Sequence, residues 1–246
     1  MRLEAADPKR SRPFDAVEML NLRFRDASAE DVIAGVRAEF GNEVALVSSF
    51  GAEAAVLLHL ASRVDTGLPV LFIDTLMLFE ETLEYQKTLS KAFGLTNVIH
   101  LRTDSEDLEE QDPDWTLHKR DPDACCHIRK VRPLERALDT WSVVVSGRKR
   151  YQASTRSALE IFEADGDRLK VNPLAHWNAQ DLKDYMDRHD LPRHPLVAKG
   201  YPSIGCAPCT TRVREGEDPR AGRWRGSNKV ECGIHFGADG RILRAS

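Results

Sequence analysis

The chain has 246 residues, 41% of them hydrophobic and 30% charged, with a formal net charge of -4. That length and apolar share suffice for one large domain, or one domain with appended segments, and exclude a disordered chain. The nearly balanced charge excludes a global basic field, so no nucleic-acid partner is expected and any anion site must be local.

The opening residues, MRLEAADPKRSRPFD, are charged and lack an apolar run long enough for a signal peptide or a membrane span. A cytoplasmic protein without membrane association is expected, in a compartment that keeps thiols reduced. From about Phe14 to Phe40 the apolar spacing predicts helix, and Ser28-Ala29-Glu30-Asp31 reads as a capping box with Asp in place of Glu. Four short apolar runs then follow, Val44 to Val47, Val70 to Ile73, Val98 to Leu101 and Val143 to Val145, each of the length of a strand buried on both faces. Helical stretches separate them, Ala54 to Val64, Glu80 to Phe93 and Ile128 to Leu138. Alternating strands and helices predict an α/β fold with a parallel sheet covered on both faces and ligands beyond the carboxyl ends of its strands. The loops after Val47, Ile73 and Val145 are the expected ligand rim. Beyond residue 160 the pattern loosens. Asn178 reads as the N-cap of one more helix, and the Gly- and Arg-rich stretch from Arg212 to Ser246 is expected to be a mobile tail. The expected organisation is a helical lead-in over 1–28, a body over 29–211 and a tail over 212–246.

The loop after the first strand is Ser48-Ser49-Phe50-Gly51-Ala52-Glu53. Its hydroxyls and backbone N–H groups, at the start of a helix, suit a phosphate or sulfate, although on this fragment alone an ordinary strand-to-helix turn is the better reading. Asp74-Thr75 stands on the same rim, with a turn-capping Asp as the plain alternative.

Five cysteines divide into the adjacent pair Cys125-Cys126, the C-x-x-C of Cys206 and Cys209, and the single Cys232. Two pairs can supply four thiolates to one metal centre, leaving Cys232 as a nucleophile. Cys125 and Cys126 fall where a helix begins, which predicts lowered thiol pKa values. C-x-x-C is also a zinc half-site, but adjacent cysteines are uncommon zinc partners, whereas an iron–sulfur cluster spreads its ligands over separate irons. Inert buried cysteines are the third reading. Arg129 and Lys130 follow closely enough to offset a cluster's charge, with Arg129 the better fit to a solvated helix face. Arg148-Lys149-Arg150, Arg156, Arg220, Arg223 and Arg225 would suit a multiply charged anion, while each taken singly reads as a solvated side chain. Cys232 lies among cations with His235 three residues on, a setting that favours thiolate.

Taken together, Cys125-Cys126-x-x-Arg129-Lys130-x-x-Pro133-Leu134, Gly205-Cys206-x-x-Cys209, Arg220-Ala221-Gly222-Arg223-Trp224 and Glu231-Cys232-Gly233-x-His235 resemble the assimilatory adenylyl-sulfate reductases, the iron–sulfur branch of the phosphoadenylyl-sulfate reductase family. The resemblance runs from about residue 30 to 236 and includes the Ser48 to Glu53 loop. It implies an adenine-nucleotide alpha-hydrolase-like fold and a 4Fe-4S cluster on Cys125, Cys126, Cys206 and Cys209. It further implies Cys232 as the catalytic nucleophile, and substrate contacts at Ser48, Ser49, Gly51, Lys130, Arg156, Arg220, Arg223 and His235. The implied reaction is thioredoxin-dependent reduction of adenylyl sulfate to sulfite and AMP through an S-sulfocysteine, within sulfate assimilation and cysteine biosynthesis. No glutaredoxin-like domain follows in this sequence, so thioredoxin is expected as an external reductant. A homo-oligomer is compatible with the sequence, which does not specify one. Two positions depart from the family: Leu76 stands where the family usually has glycine, and Tyr151 where it often has an acid. The alternatives are a phosphoadenylyl-sulfate or dual-substrate reductase and, more remotely, a non-enzymatic iron–sulfur redox sensor.

Overall fold

A computed structural model describes residues 13–152, 156–227 and 229. Its centre is a six-stranded sheet in the order β3-β2-β1-β4-β6-β5. β1 (Val44–Ser48), β2 (Val70–Ile73), β3 (Val98–Leu101) and β4 (Val143–Ser146) fall on the four apolar runs and pair in parallel. β2 is apolar throughout, and β1 up to its terminal Ser48, because helices cover both their faces. α3 (Ala54–Val64) and α4 (Glu80–Phe93) occupy the expected ranges. α4 stops at Gly94, whose left-handed φ of 65° returns the chain and lets its N–H close on the last helical carbonyls.

Three features depart from the expectations. The long N-terminal helix is two helices, α1 (Pro13–Arg23) and α2 (Ala29–Phe40). Ser28 Oγ accepts from the Asp31 N–H, so the capping box that is legible in the sequence starts a new helix and thereby ends continuity with the previous one. Past residue 160 the chain forms a hairpin, β5 (Phe162–Asp165) antiparallel to β6 (Arg168–Val171), and β6 adds to β4 in parallel. Residues 212–227, read as part of a mobile tail, pack on the body: Thr210 and Arg223 form a β-bridge, the Thr211 N–H donates to Gly222 O at 2.8 Å, and Trp224 is buried.

α1, within the helical lead-in, packs into the body. Leu20 and Phe24 belong to the main core, with the Phe24 ring 5.3 Å from that of Phe162. Between β3 and β4 lie α5 (Ser105–Gln111), α6 (Leu117–Arg120), α7 (Pro122–Cys126), a π-turn at His127–Val131 and α8 (Arg132–Leu138). α9 (Ala179–Arg188) starts at Asn178 in a full capping box with Asp181. No helix among the described residues is long and apolar enough to cross a membrane.

Candidate active site

β1 ends at Ser48, whose Oγ accepts the Phe50 N–H at 3.1 Å. Phe50 turns the chain with a φ of 47° and drives its ring into the core, edge-on to Phe72 at 4.9 Å. This anchor leaves Ser48, Ser49 and Gly51 on the wall of a cavity of about 370 Å3. The volume falls within the roughly 300–1,000 Å3 of small-molecule sites. The cavity opens beyond the carboxyl ends of β1, β2 and β4, as the topology predicts for a parallel sheet. Lys130, Arg156, Arg220 and Arg223 also line it, so every substrate contact implied by the resemblance and lying within the described residues reaches one space. Cys232 and His235 lie outside the described residues.

The cations are held from several directions. Glu53, in the loop after β1, accepts from Lys149 Nζ at 2.7 Å, Tyr151 Oη at 2.6 Å and Gln152 Nε2 at 2.9 Å. Gln152 Oε1 in turn accepts from Arg156 at 2.7 Å, which ties a buried cation to the same carboxylate network. Burial would raise the Glu53 pKa, but the Lys149 charge and these hydrogen bonds hold it below the ordinary carboxylate value. Arg148 is largely withdrawn from solvent and pairs with Glu163, whereas Arg150 pairs with Glu160 on the exposed side, both at 2.8 Å. Tyr151, at the position where the family often has an acid, donates its hydroxyl hydrogen bond to the Glu53 carboxylate on the facing loop. Arg223 lies over the Trp224 ring at 4.4 Å and donates to Ile204 O at 3.3 Å. Gly205 lies beneath it, and a Cβ there would push the guanidinium from this position.

Asp74 plays the plainer of its two expected roles. One oxygen accepts the Leu76 N–H at 3.1 Å and the other the Arg102 Nε–H at 2.8 Å, so it builds the turn after β2. Thr75 faces the cavity and sets its hydroxyl 3.3 Å from Cys206 Sγ.

Cys125, Cys126 and Cys206 are buried and Cys209 is half-buried, all as free thiols. As the side chains stand, no group of three or more metal-ligating residues among the described ones is drawn together tightly enough to hold a metal ion. The thiols nevertheless share one electrostatic neighbourhood. Burial pushes Cys125 up to about 12, Cys126 adds to that rise, Arg129 opposes it, and Cys206 and Cys209 reinforce it. This reverses the expected lowering at Cys125: the cysteines do stand near the start of a helical run, which begins at Pro122 and continues through the π-turn into α8, but burial outweighs whatever its positive end contributes. Burial and Cys206 likewise raise Cys209 against the pull of Lys130, Arg223 and Lys229. Two cavity-lining cations therefore act on a thiol as well.

Arg129 is not on a solvated face. It is 1% exposed and paired with the fully buried Asp112 at 2.7 Å. Arg129 Nε and Trp224 Nε1 are buried donors without a hydrogen-bond partner among the described residues. The backbone N–H of Trp224 donates to Cys209 O, so the second orphan belongs to a residue joined to the C-x-x-C. Four thiols with stranded donors beside them fit a group that brings both thiol-binding metal and hydrogen-bond acceptors. Sequence reasoning did not find Asp112, and no spacing signal points to it; Gln152 and the role of Glu53 needed the facing loops to be placed.

A six-stranded, mostly parallel sheet with a cavity at its carboxyl edge defines an adenine-nucleotide alpha-hydrolase-like protein. FMN adenylyltransferase from Candida glabrata shares this fold, with a TM-score of 0.53, 14% identity and coverage of 88% of this chain and 86% of that one. The phosphoadenosine phosphosulfate reductase domain matches residues 43–212, and the chain belongs to this family. It is 53% identical over 197 residues to an adenosine 5'-phosphosulfate reductase of Mesorhizobium japonicum, covering 80% of this chain and 78% of the relative. It is 49% identical over 237 residues to the protein of that name from Chelativorans sp., covering 94% and 96%. A phosphoadenylyl-sulfate reductase from Candida auris, seen as a phosphate complex, superimposes with a TM-score of 0.69 at 25% identity, over 82% of this chain and 98% of that chain.

Proposed function

We propose that this chain reduces adenylyl sulfate to sulfite and AMP, with Cys232 as nucleophile and a 4Fe-4S cluster on Cys125, Cys126, Cys206 and Cys209. The observation that carries the reading is the junction of two sites. Lys130 and Arg223 line the anion cavity and also act on Cys209, so one pair of cations serves the substrate and the thiol cluster together. The names of the bacterial relatives support adenylyl sulfate as substrate.

Ser48, Ser49 and Gly51 would receive the phosphate, and Lys130, Arg156, Arg220 and Arg223 the sulfate and the charge that develops as its S–O bond breaks. The Cys232 thiolate attacks the sulfate sulfur; the electron pair of the S–O bond leaves on the AMP phosphate oxygen, and an S-sulfocysteine remains. A thiolate of reduced thioredoxin then attacks the Cys232 sulfur, and sulfite departs with the electron pair of the broken S–S bond. The second thioredoxin thiol resolves the mixed disulfide and restores the Cys232 thiol, so the dithiol supplies both electrons. When bound, the cluster supplies anionic sulfur that offsets the buried cations and accepts from the stranded donors. This chemistry belongs to cytoplasmic sulfate assimilation toward cysteine.

The test is anaerobic turnover with adenylyl sulfate, thioredoxin and its reductase system, with phosphoadenylyl sulfate in parallel. Sulfite from adenylyl sulfate, and none from Cys232→Ser, is the expected result. Faster turnover of phosphoadenylyl sulfate would reassign the substrate, and no sulfite from an iron-replete protein would end the reductase reading.

A further inference from the structure

Asp112 lies just past the end of α5 and is fully enclosed. One carboxylate oxygen accepts from Arg129 Nη2 at 2.7 Å and the other from the Leu117 N–H at 2.8 Å. Arg129 Nη1 donates to Thr75 O at 3.0 Å, and the Thr75 hydroxyl is 3.3 Å from Cys206 Sγ. The Trp115 ring covers the guanidinium at 4.5 Å, on a backbone held at a φ of 57°. A guanidinium cannot lose its proton, so its only variable is orientation. Here two in-plane contacts and one face fix that orientation, leaving Nε buried and without a hydrogen-bond partner among the described residues.

A buried ion pair is seldom the most stabilising way to fill its volume, since desolvation offsets most of the attraction. What this pair provides is direction. We infer that Asp112 is a positioning residue for the thiol-held group: by clamping Arg129 it presents Nε–H to sulfur beside Cys125 and steadies the Thr75 turn against Cys206. This rests on the cluster reading proposed above. Asp112 does not line the cavity; its carboxylate holds Arg129 and, through the Leu117 N–H, the start of α6, and Arg129 is the charged group through which it acts.

The experiment compares the wild-type full chain with Asp112→Asn, Asp112→Glu and Trp115→Leu, all purified anaerobically. Iron and acid-labile sulfide content of the wild type tests the cluster. Resonance Raman of the Fe–S stretches, kcat and KM, and the exchange rate of the Arg129 side-chain Nε–H by NMR in iron-free protein test Asp112. With Asp112→Asn the Fe–S stretches should shift, kcat should fall roughly tenfold as for other outer partners of metal ligands, KM should hold, and Nε–H exchange should quicken. Asp112→Glu should restore all three toward wild type. Unchanged stretches, kcat and exchange in Asp112→Asn would overturn the inference. A wild type without iron would sink the cluster reading; the iron-free exchange rates then decide the clamp by itself, with quickened exchange sustaining the hold of Asp112 on Arg129 and equal rates overturning it. Should Asp112→Asn fail to fold, Trp115→Leu carries the comparison: a smaller shift in the same direction supports the clamp, and none overturns it.

Discussion

Leu76 occupies a left-handed backbone position, with a φ of 59°, where the family usually places glycine. The Asp74 carboxylate holds the turn from beneath by accepting the Leu76 N–H, and the Leu side chain is left 41% exposed. A left-handed conformation costs an ordinary L-residue about 1–2 kcal/mol, part of which glycine forfeits through its freer unfolded chain. Leu76→Gly should therefore stabilise the protein by up to ~1 kcal/mol, read as a higher urea midpoint at unchanged slope. A lower midpoint would mean that contacts of the buried part of the leucine outweigh the strain. Phe50, Trp115 and Trp224 are likewise left-handed. The first sits inside the anion loop, the second covers Arg129 and the third follows Arg223, so among the described residues every left-handed non-glycine position except Asp190 falls where ligands are proposed to bind or beside it. The substitution at Leu76 was legible in the sequence; its strain was not, because φ is set by the turn that Asp74 and Arg102 close together.

At the sheet edge, β5 would present unpaired backbone groups to any passing strand. Asn21, on α1, covers them: its Nδ2 donates to Phe162 O and its Oδ1 accepts from the Phe162 N–H, both at 2.9 Å. Asn21→Ala should cost about 1–2 kcal/mol by removing two hydrogen bonds from a half-buried edge. The same change should promote association detectable by light scattering at raised concentration; loss of neither stability nor monodispersity would show that solvent caps the edge as well. The hairpin had a local signal in Asp165-Gly166, with Gly166 at a φ of 60°, but its strands are short and partly polar. Their pairing with β4 arises from distant partners, and so periodicity reasoning passed over them. The apolar runs of β1 to β4 and helices α3 and α4 were legible because double-sided burial and helical spacing are written into consecutive residues.

Across the molecule, His194 joins the segment leading to the C-x-x-C onto α4. It is 1% exposed, its Nδ1 accepts the Leu196 N–H at 3.2 Å, and its Nε2 meets Thr82 Oγ1 at 3.1 Å. Burial lowers its pKa to about 4, against a weaker upward pull from Glu81. The unfolded chain binds a proton near 6.5 that the folded protein refuses until about 4, so between these values the unfolded state holds more protons. The histidine's contribution is therefore full above pH 6.5 and is lost as pH falls toward 4, because protonation of Nδ1 would break the Leu196 contact. Thermal unfolding against pH should show this decline, and His194→Gln should flatten it; an equal slope in both proteins would assign the decline to carboxylates such as Glu53.

The residue types needed for the chemistry, and the order of strands and helices that carries them, were readable along the chain. Cysteine spacing and apolar period are local properties that survive without a fold. Asp112 under Arg129, Glu53 gathering Lys149, Tyr151 and Gln152, and the cations shared between cavity and thiols came from folding alone. Those contacts join segments far apart in sequence, and their existence depends on burial, which turns a cation that reads as solvated into a fixed part of the site.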